Sequence, residues 1–180
     1  MRCFIAIDIP SEVREELARA EEVIRGFDKR AKLKIVEPEN LHITIKFLGD
    51  LTDDQVNKAK EVLREIKFEP FKVKLNSFGI FPSLNFIRVV WVDVLPKEQL
   101  IELEKKIDDV ISEKLGFRRN RNFETHITLA RAKYIGDKQK FVEGLKNITV
   151  SPIEFEIKNF SLKKSTLTRE GPIYEDIIKF

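Results

Sequence analysis

The chain contains two histidines, and both open the same pattern: His42-Ile43-Thr44-Ile45 and, 84 residues later, His126-Ile127-Thr128-Leu129. An imidazole, with its ordinary pKa near 6.5, gives and accepts protons around neutrality. Two of them directed at one point could act as base and acid while a phosphoryl group moves between oxygens, a reaction that then requires no metal. A threonine hydroxyl two residues on, aimed at the same space, could donate to a non-bridging phosphate oxygen. Zinc is the competing chemistry, but it would want three or four protein ligands. There is no third histidine, no cysteine pair and no carboxylate at a recognisable spacing, and Glu124 beside His126 could add only one ligand. Either motif alone would be read as an ordinary strand segment. Both histidines of the chain inside one repeated pattern point to one shared site.

Such a site needs rigid supports, and the alternation around each motif supplies them. Leu41, Ile43, Ile45 and Phe47 fall on one face of a strand, and His42, Thr44 and Lys46 on the other. Thr125, Ile127 and Leu129 alternate in the same way with His126, Thr128 and Ala130. Along a strand the imidazole and the hydroxyl stand about 7 Å apart. The remaining elements follow in order. A strand over 2–8 precedes a helix opened by Pro10-Ser11, with Val13, Leu17, Ala20, Ile24 and Phe27 as its apolar stripe. A short strand spans 33–36. After the first motif, Thr52 and Gln55 have the form of a capping box for a second helix. Strands over 71–75 and 86–94 form a hairpin, a helix runs over 97–115 to Gly116, and the second motif strand spans about 123–131. A helix over 137–146, a β-region over 153–166 and a last strand near 174–179 complete the chain. This order predicts an α+β, bilobal protein: a single domain over 1–180 of two related lobes, with two mainly antiparallel sheets, flanking helices and the motif strands lining a central cleft.

Composition bounds the rest. With 180 residues, 42% of them hydrophobic and 35% charged, the chain can bury a sizeable core, and a net charge of +3 gives no strong overall nucleic-acid signal. Cys3, the single cysteine, excludes an internal disulfide and reads as a small buried residue. No apolar run is long enough to span a bilayer, and Asp8 and Pro10 interrupt the apolar start before it resembles a secretory signal, so a cytoplasmic protein without membrane association is expected. The Lys- and Glu-rich composition fits a thermophile.

The paired His-x-Thr-x motifs resemble those of the two-histidine phosphoesterases. Longer segments are similar to one branch, the RNA 2′,3′-cyclic phosphodiesterases, also called 2′-5′ RNA ligases: residues 2–10 (RCFIAIDIP), 38–49 (PENLHITIKFLG), Gly116-Phe117 and 123–131 (FETHITLAR). The resemblance covers nearly the whole chain; Thr125 stands where proline is frequent in the family. It implies a bilobal fold and hydrolysis of a 2′,3′-cyclic phosphate to a 2′-phosphate without metal or other cofactor. It also implies possible joining of RNA ends in vitro, a 5′-hydroxyl replacing water and no ATP being consumed. By the resemblance His42 is the proton donor to the departing 3′ oxygen, His126 the proton acceptor from water, and Thr44 and Thr128 the phosphate-oxygen donors. The residues themselves leave the direction open, since exchanging the two histidines would give the 3′-phosphate.

RNA with 2′,3′-cyclic phosphate ends, tRNA fragments among them, is the expected partner of a monomer. Residues 117–141 hold seven basic side chains against two acidic ones, an excess larger than that of the whole chain. Arg131, five residues past His126, is the first candidate for a phosphate contact, with Arg118 and Arg121 next and Lys46 as a further one. Phe4 and Phe123 are the candidate stacking residues. Two other functions fit the same residues: an RNA-binding module without turnover, and an enzyme for a small cyclic nucleotide such as ADP-ribose 1″,2″-cyclic phosphate.

Overall fold

A computed structural model describes residues 1–169 and 171–180. The chain runs through β1 (Arg2–Asp8), α1 (Ser11–Arg25), β2 (Lys32–Ile35), a 3-10 turn (Pro38–Asn40), β3 (His42–Asp50), α2 (Asp53–Leu63), β4 (Phe71–Ser83) and β5 (Phe86–Leu95). It continues through α3 (Glu98–Leu115), β6 (His126–Tyr134), α4 (Lys138–Asn147), β7 (Glu154–Ile157), β8 (Ser161–Leu167) and β9 (Pro172–Lys179). The architecture is α+β with antiparallel pairing, in the order β7-β4-β5-β6-β3-β1-β8-β9, and β2 pairs with β6.

The expected two sheets are joined into one path by a single bridged pair between the motif strands, Ile43 with Ile127. Sequence neighbours pair on each side of that bridge, β1 with β3 and β5 with β6, whereas the helices cross over. α1, which follows β1, packs against β6; α3, which follows β5, packs against β3, with α2 on α3 and α4 on β4. The region expected as one long β-stretch divides into β7, which pairs with β4, and β8, which pairs with β1.

Local signals explain the helix ends. The capping box at α2 is complete, with Thr52 and Gln55 satisfying each other's backbone N–H groups. Gly116 ends α3 in the left-handed conformation at φ 71°, which residues with a Cβ rarely adopt. The buried stripe of α1 is Val13, Leu17, Glu21 and Ile24, so Glu21 takes the place expected of Ala20. Burial pushes its carboxyl up to about 8, which keeps it protonated and neutral at pH 7. Cys3 is buried, as its apolar run suggests. No helix among the described residues is long and apolar enough to cross a membrane.

Candidate functional site

The two motif strands meet only at Ile43–Ile127, and this pair fixes the site. Both residues are fully buried, each immediately follows its histidine, and the strands run antiparallel. Continuing the register by one residue sets His42 across from Thr128 and His126 across from Thr44. The imidazoles thus take opposite corners of a square and the hydroxyls the other two. Diagonal neighbours on an antiparallel pair lie about 7–8 Å apart, so the two histidines face one shared space.

Hydrogen bonds define which nitrogen each ring presents. His42 Nδ1 lies 2.6 Å from the carbonyl oxygen of Asn40, and His126 Nδ1 lies 2.7 Å from that of Glu124. A carbonyl only accepts, so both Nδ1 atoms carry a proton and in the neutral rings both Nε2 atoms are left as acceptors. His42 Nε2 accepts from the Thr44 hydroxyl at 2.9 Å. Asn40 is itself anchored, its side-chain amide donating to Pro172 O at 3.0 Å.

The surroundings of the two rings correspond. Asp8 stands opposite His42 in the β1–β3 ladder, and Asp93 stands opposite His126 in the β5–β6 ladder. Each carboxylate already has a cation: Lys163 at 2.7 Å for Asp8 and Lys97 at 3.2 Å for Asp93. His42 packs against Phe4 and Tyr174, with ring centroids 5.2 and 5.3 Å away. His126 packs against Phe81 and Trp91 at 5.2 and 6.0 Å. Trp91 can lie across β4 only because Gly79 has no side chain; a Cβ there would stand 2.2 Å from the indole. Burial pushes the His42 pKa down to about 4; the bond to Asn40 and the charge of Asp8 oppose the drop, and Lys163 adds to it. Burial also lowers the pKa of His126, against the bond to Glu124 and the charges of Glu124 and Asp93.

Beyond the threonines both strands carry a β-bulge at the same place. Ala6 pairs with Thr44 but Ile5 with Lys46, leaving Ile45 as the extra residue; Trp91 pairs with Thr128 but Val90 with Ala130, leaving Leu129. A bulge puts two successive residues on one face and reverses the alternation after it. The burial patterns of the two nine-residue strands are accordingly identical, position by position. This corrects the reading of Lys46 as a substrate-binding residue. Lys46 turns into the core, 3% exposed, where its ammonium donates to Asp108 and, at 2.8 Å, to Arg118 O. The same reversal brings Arg131 to the histidine face, exposed, where its charge acts on both His126 and Tyr174.

The position equivalent to Arg131 in β3 is Phe47, 68% exposed on the histidine face and 6.2 Å from Phe4. Sequence reasoning named Phe4 and Phe123 instead. Phe4 is buried behind His42, and Phe123 is packed against the core. The shared offset of five residues from each histidine was the signal for Phe47. Tyr174, Trp91 and the two aspartates had no such mark.

The bulges also tie the strands together. Each frees a carbonyl from its ladder: Ile45 O accepts from Asn120 Nδ2 at 3.1 Å, and Leu129 O accepts from Val36 N at 2.8 Å. Asn120 lies in the segment that leads into β6, and Val36 in the segment that leads into β3. The approach to each histidine is therefore fastened to the strand of the other. Arg118 and Arg121 sit exposed on the first of these segments, which is held to the core side of β3 through Lys46 and Asn120. Among the described residues no hydrogen bond joins the side chain of either to the histidines. Lys46→Met, which strips the buried Asp108 of its ammonium, is expected to cost roughly 3 kcal/mol of stability in a chemical denaturation curve. The residual activity of the folded fraction should keep its ordinary KM for substrate; a raised KM at unchanged stability would restore Lys46 to the substrate.

Among the described residues no group of three or more His, Cys, Asp or Glu side chains is placed to hold a metal ion. Two imidazoles presenting Nε2 atoms, two hydroxyls and one guanidinium, set on two strands of an α+β sheet, are groups that can serve acid–base chemistry at a phosphate. The family model described as LigT like Phosphoesterase matches residues 7–91 and again 92–174, and the chain belongs to that family.

Individual relatives are more specific. The RNA 2′,3′-cyclic phosphodiesterase of Methanocaldococcus jannaschii is 42% identical over 181 residues, covering 98% of this chain and 98% of the relative. That of Archaeoglobus fulgidus is 36% identical over 180 residues, covering 100% and 99%. Among solved structures, TT0787 of Thermus thermophilus superposes with a TM-score of 0.84 at 29% identity, over 100% of this chain and 97% of the other. E. coli LigT complexed with 3′-AMP gives 0.78 at 26% identity, over 99% and 96%.

Proposed function

We propose that this protein hydrolyses the 2′,3′-cyclic phosphate at RNA ends to a 2′-phosphomonoester, using His42 and His126 as acid and base and no metal. The observation that carries the reading is the diagonal placement of the two imidazoles about the Ile43–Ile127 pair. An in-line displacement at phosphorus needs a base on one side of the phosphate and an acid on the other, and this arrangement offers both. His126 Nε2 takes a proton from water as its oxygen bonds to phosphorus. The bond from phosphorus to O3′ breaks, and His42 Nε2 gives O3′ a proton. Thr44 and Thr128 donate to the non-bridging oxygens, and Arg131 offsets the phosphate charge. With a 5′-hydroxyl in place of water, the same steps join two RNA ends through a 2′-5′ linkage without ATP.

The chain is taken as one domain of two pseudo-symmetric lobes. Repetition of the strand–helix–strand units β1-α1-β3 and β5-α3-β6, with matched bulges and matched aspartates, supports this. Names of the relatives support the substrate: the archaeal proteins are called RNA 2′,3′-cyclic phosphodiesterases, and the LigT structure holds 3′-AMP.

The test is an oligoribonucleotide ending in a 2′,3′-cyclic phosphate, incubated in EDTA, its products separated against 2′- and 3′-phosphate standards. The 2′-phosphate alone is expected. The 3′-phosphate would exchange the roles of the histidines, and activity lost in EDTA and restored by a divalent ion would overturn the two-histidine mechanism.

A further inference from the structure

A 2′,3′-cyclic phosphate occupies both hydroxyls of the last ribose, so any RNA longer than one nucleotide leaves the site through the 5′ oxygen of that ribose. One strand must therefore cross the protein surface away from the histidines. Its path needs cations that are not already neutralised, together with an exposed aromatic ring for a base.

Three directions lead away from the site, and they differ in how their cations are held. Along β8 and β9 the lysines are engaged: Lys163 of β8 binds Asp8 and Asp176, Lys164 stands 3.3 Å from Glu175, and Lys179 of β9 stands 3.7 Å from Asp8, which leaves Arg2 of β1, near Tyr174, as the exposed cation on that side. Along residues 116–125, Arg119 is committed to Asp109 and Glu113; Arg118 and Arg121 are exposed, but the segment that carries them is bound to the core side of β3 through Lys46 and Asn120. The third direction follows β6 beyond His126, where β2 takes over from β3 as its neighbour. Lys34 pairs with Arg131 and Lys32 with Tyr134 in this ladder. Directly paired residues share a face, and the bulge at Leu129 has already turned Arg131 to the histidine face. The row His126, Thr128, Arg131, Lys34, Lys32, Tyr134 therefore lies on one face, crossing a second irregularity that leaves Lys133 as the extra residue before Tyr134, and runs roughly 20–25 Å from end to end at about 3.3 Å per residue.

Burial and pairing agree with this placement. Lys32, Lys34 and Arg131 are exposed, Tyr134 is 54% exposed, and none of the three cations has a carboxylate within salt-bridge distance among the described residues. The Lys34 ammonium reaches toward the β8–β9 turn on the far side of the site: a Cβ at Gly171 would stand 3.7 Å from it.

We infer that the β2–β6 edge is the track for single-stranded RNA 5′ of the scissile phosphate, with Lys34 and Lys32 on successive backbone phosphates and Tyr134 against a base. The inference rests on the RNA-end chemistry proposed above. It makes an oligonucleotide, rather than a mononucleotide or another small cyclic ester, the substrate the protein is shaped for.

The test compares wild type with Lys32→Glu/Lys34→Glu, Tyr134→Leu and Tyr134→Phe on two substrates, uridine 2′,3′-cyclic phosphate and an eight-residue oligoribonucleotide ending in the same group. In the double variant the ratio of oligonucleotide to mononucleotide kcat/KM should fall at least tenfold. The slope of log kcat/KM against log salt for the oligonucleotide should become shallower by about 1.4, two phosphates at about 0.7 each. Tyr134→Leu should lower the ratio, and Tyr134→Phe should keep it, because stacking needs the ring and not the hydroxyl. Equal losses on both substrates, or an unchanged ratio, would overturn the track.

A parallel measurement separates the track from the chemistry: binding of a fluorescent eight-residue oligonucleotide ending in a 2′-phosphate, which involves no turnover. Weaker binding by the double variant supports the track even where the wild type hydrolyses neither substrate, a result that would count against the proposed reaction alone. Unchanged binding overturns the track whatever the activity.

Discussion

His42→Ala and His126→Ala should each lower kcat for a 2′,3′-cyclic phosphate by roughly 10²–10⁴, the usual worth of one positioned proton-transfer group, with KM changed only a few-fold. KM should hold because, in the proposed mechanism, Thr44, Thr128 and Arg131 still meet the phosphate. The double variant should be little slower than the worse single one, since an acid without its base no longer serves the same transition state. The roles separate by the leaving group. A substrate with sulfur in place of O3′ expels a thiolate that needs no proton, so it should recover most of the activity of the variant lacking the acid and none of that lacking the base. With the assignment made here, His42→Ala is rescued and His126→Ala is not. The opposite pattern would exchange their roles, and equal failure of both to be rescued would place the sulfur, or the histidines, outside the reaction.

The sequence showed the motif strands because a period of two needs only local residues, and it held as far as the threonines. It failed at Lys46 for a definite reason. The bulge that reverses the alternation falls at Ile45, with neither glycine nor proline to mark it, and its counterpart at Leu129 is equally unmarked. A bulge set by the partner strand, through Ile5 opposite Lys46 and Ala6 opposite Thr44, lives in the tertiary structure. The same event sets Arg131, singled out by the local excess of basic charge and its place five residues past His126, on the histidine face despite an alternation that would have turned it away. Helix capping at Thr52 and the stop at Gly116 were legible because their partners lie within a few residues. Pairing of Ile43 with Ile127, the crossing of α1 and α3 to the opposite strands, and the fastening of Asn120 to Ile45 join residues 75 or more apart, or unite elements whose faces are each simply apolar. Period and composition carry no address for such contacts.

The depressed pKa values lead to the second large effect. Burial against Phe4 and Tyr174 holds His42 down to about 4, and His126 too lies below its ordinary value, so near pH 7 the free protein carries both rings neutral. Hydrolysis needs one of them protonated. The missing proton can arrive with the phosphate: a single negative charge about 4 Å from an imidazolium at an effective dielectric constant near 20 is worth about 4 kcal/mol, or about three pKa units. That suffices to carry His42 from about 4 to near neutrality. Binding of a phosphodiester should therefore take up between about half a proton and one proton at pH 7. The measurement is calorimetric titration with an inert dinucleotide diester, 2′-O-methylated so that it neither reacts nor titrates, in buffers of different ionisation enthalpy. Heat that varies with the buffer reports the uptake, and His42→Ala should abolish it. The sign then fixes the pH profiles. In the free protein the protonated fraction of His42 falls as pH rises past about 4, so kcat/KM should decline from the acid side of neutrality upward. In the complex the same ring titrates higher, so the alkaline limb of kcat should lie well above that of kcat/KM. Buffer-independent heat, together with two profiles that coincide, would mean that His42 enters the reaction already charged and that the burial of its ring serves packing rather than proton transfer.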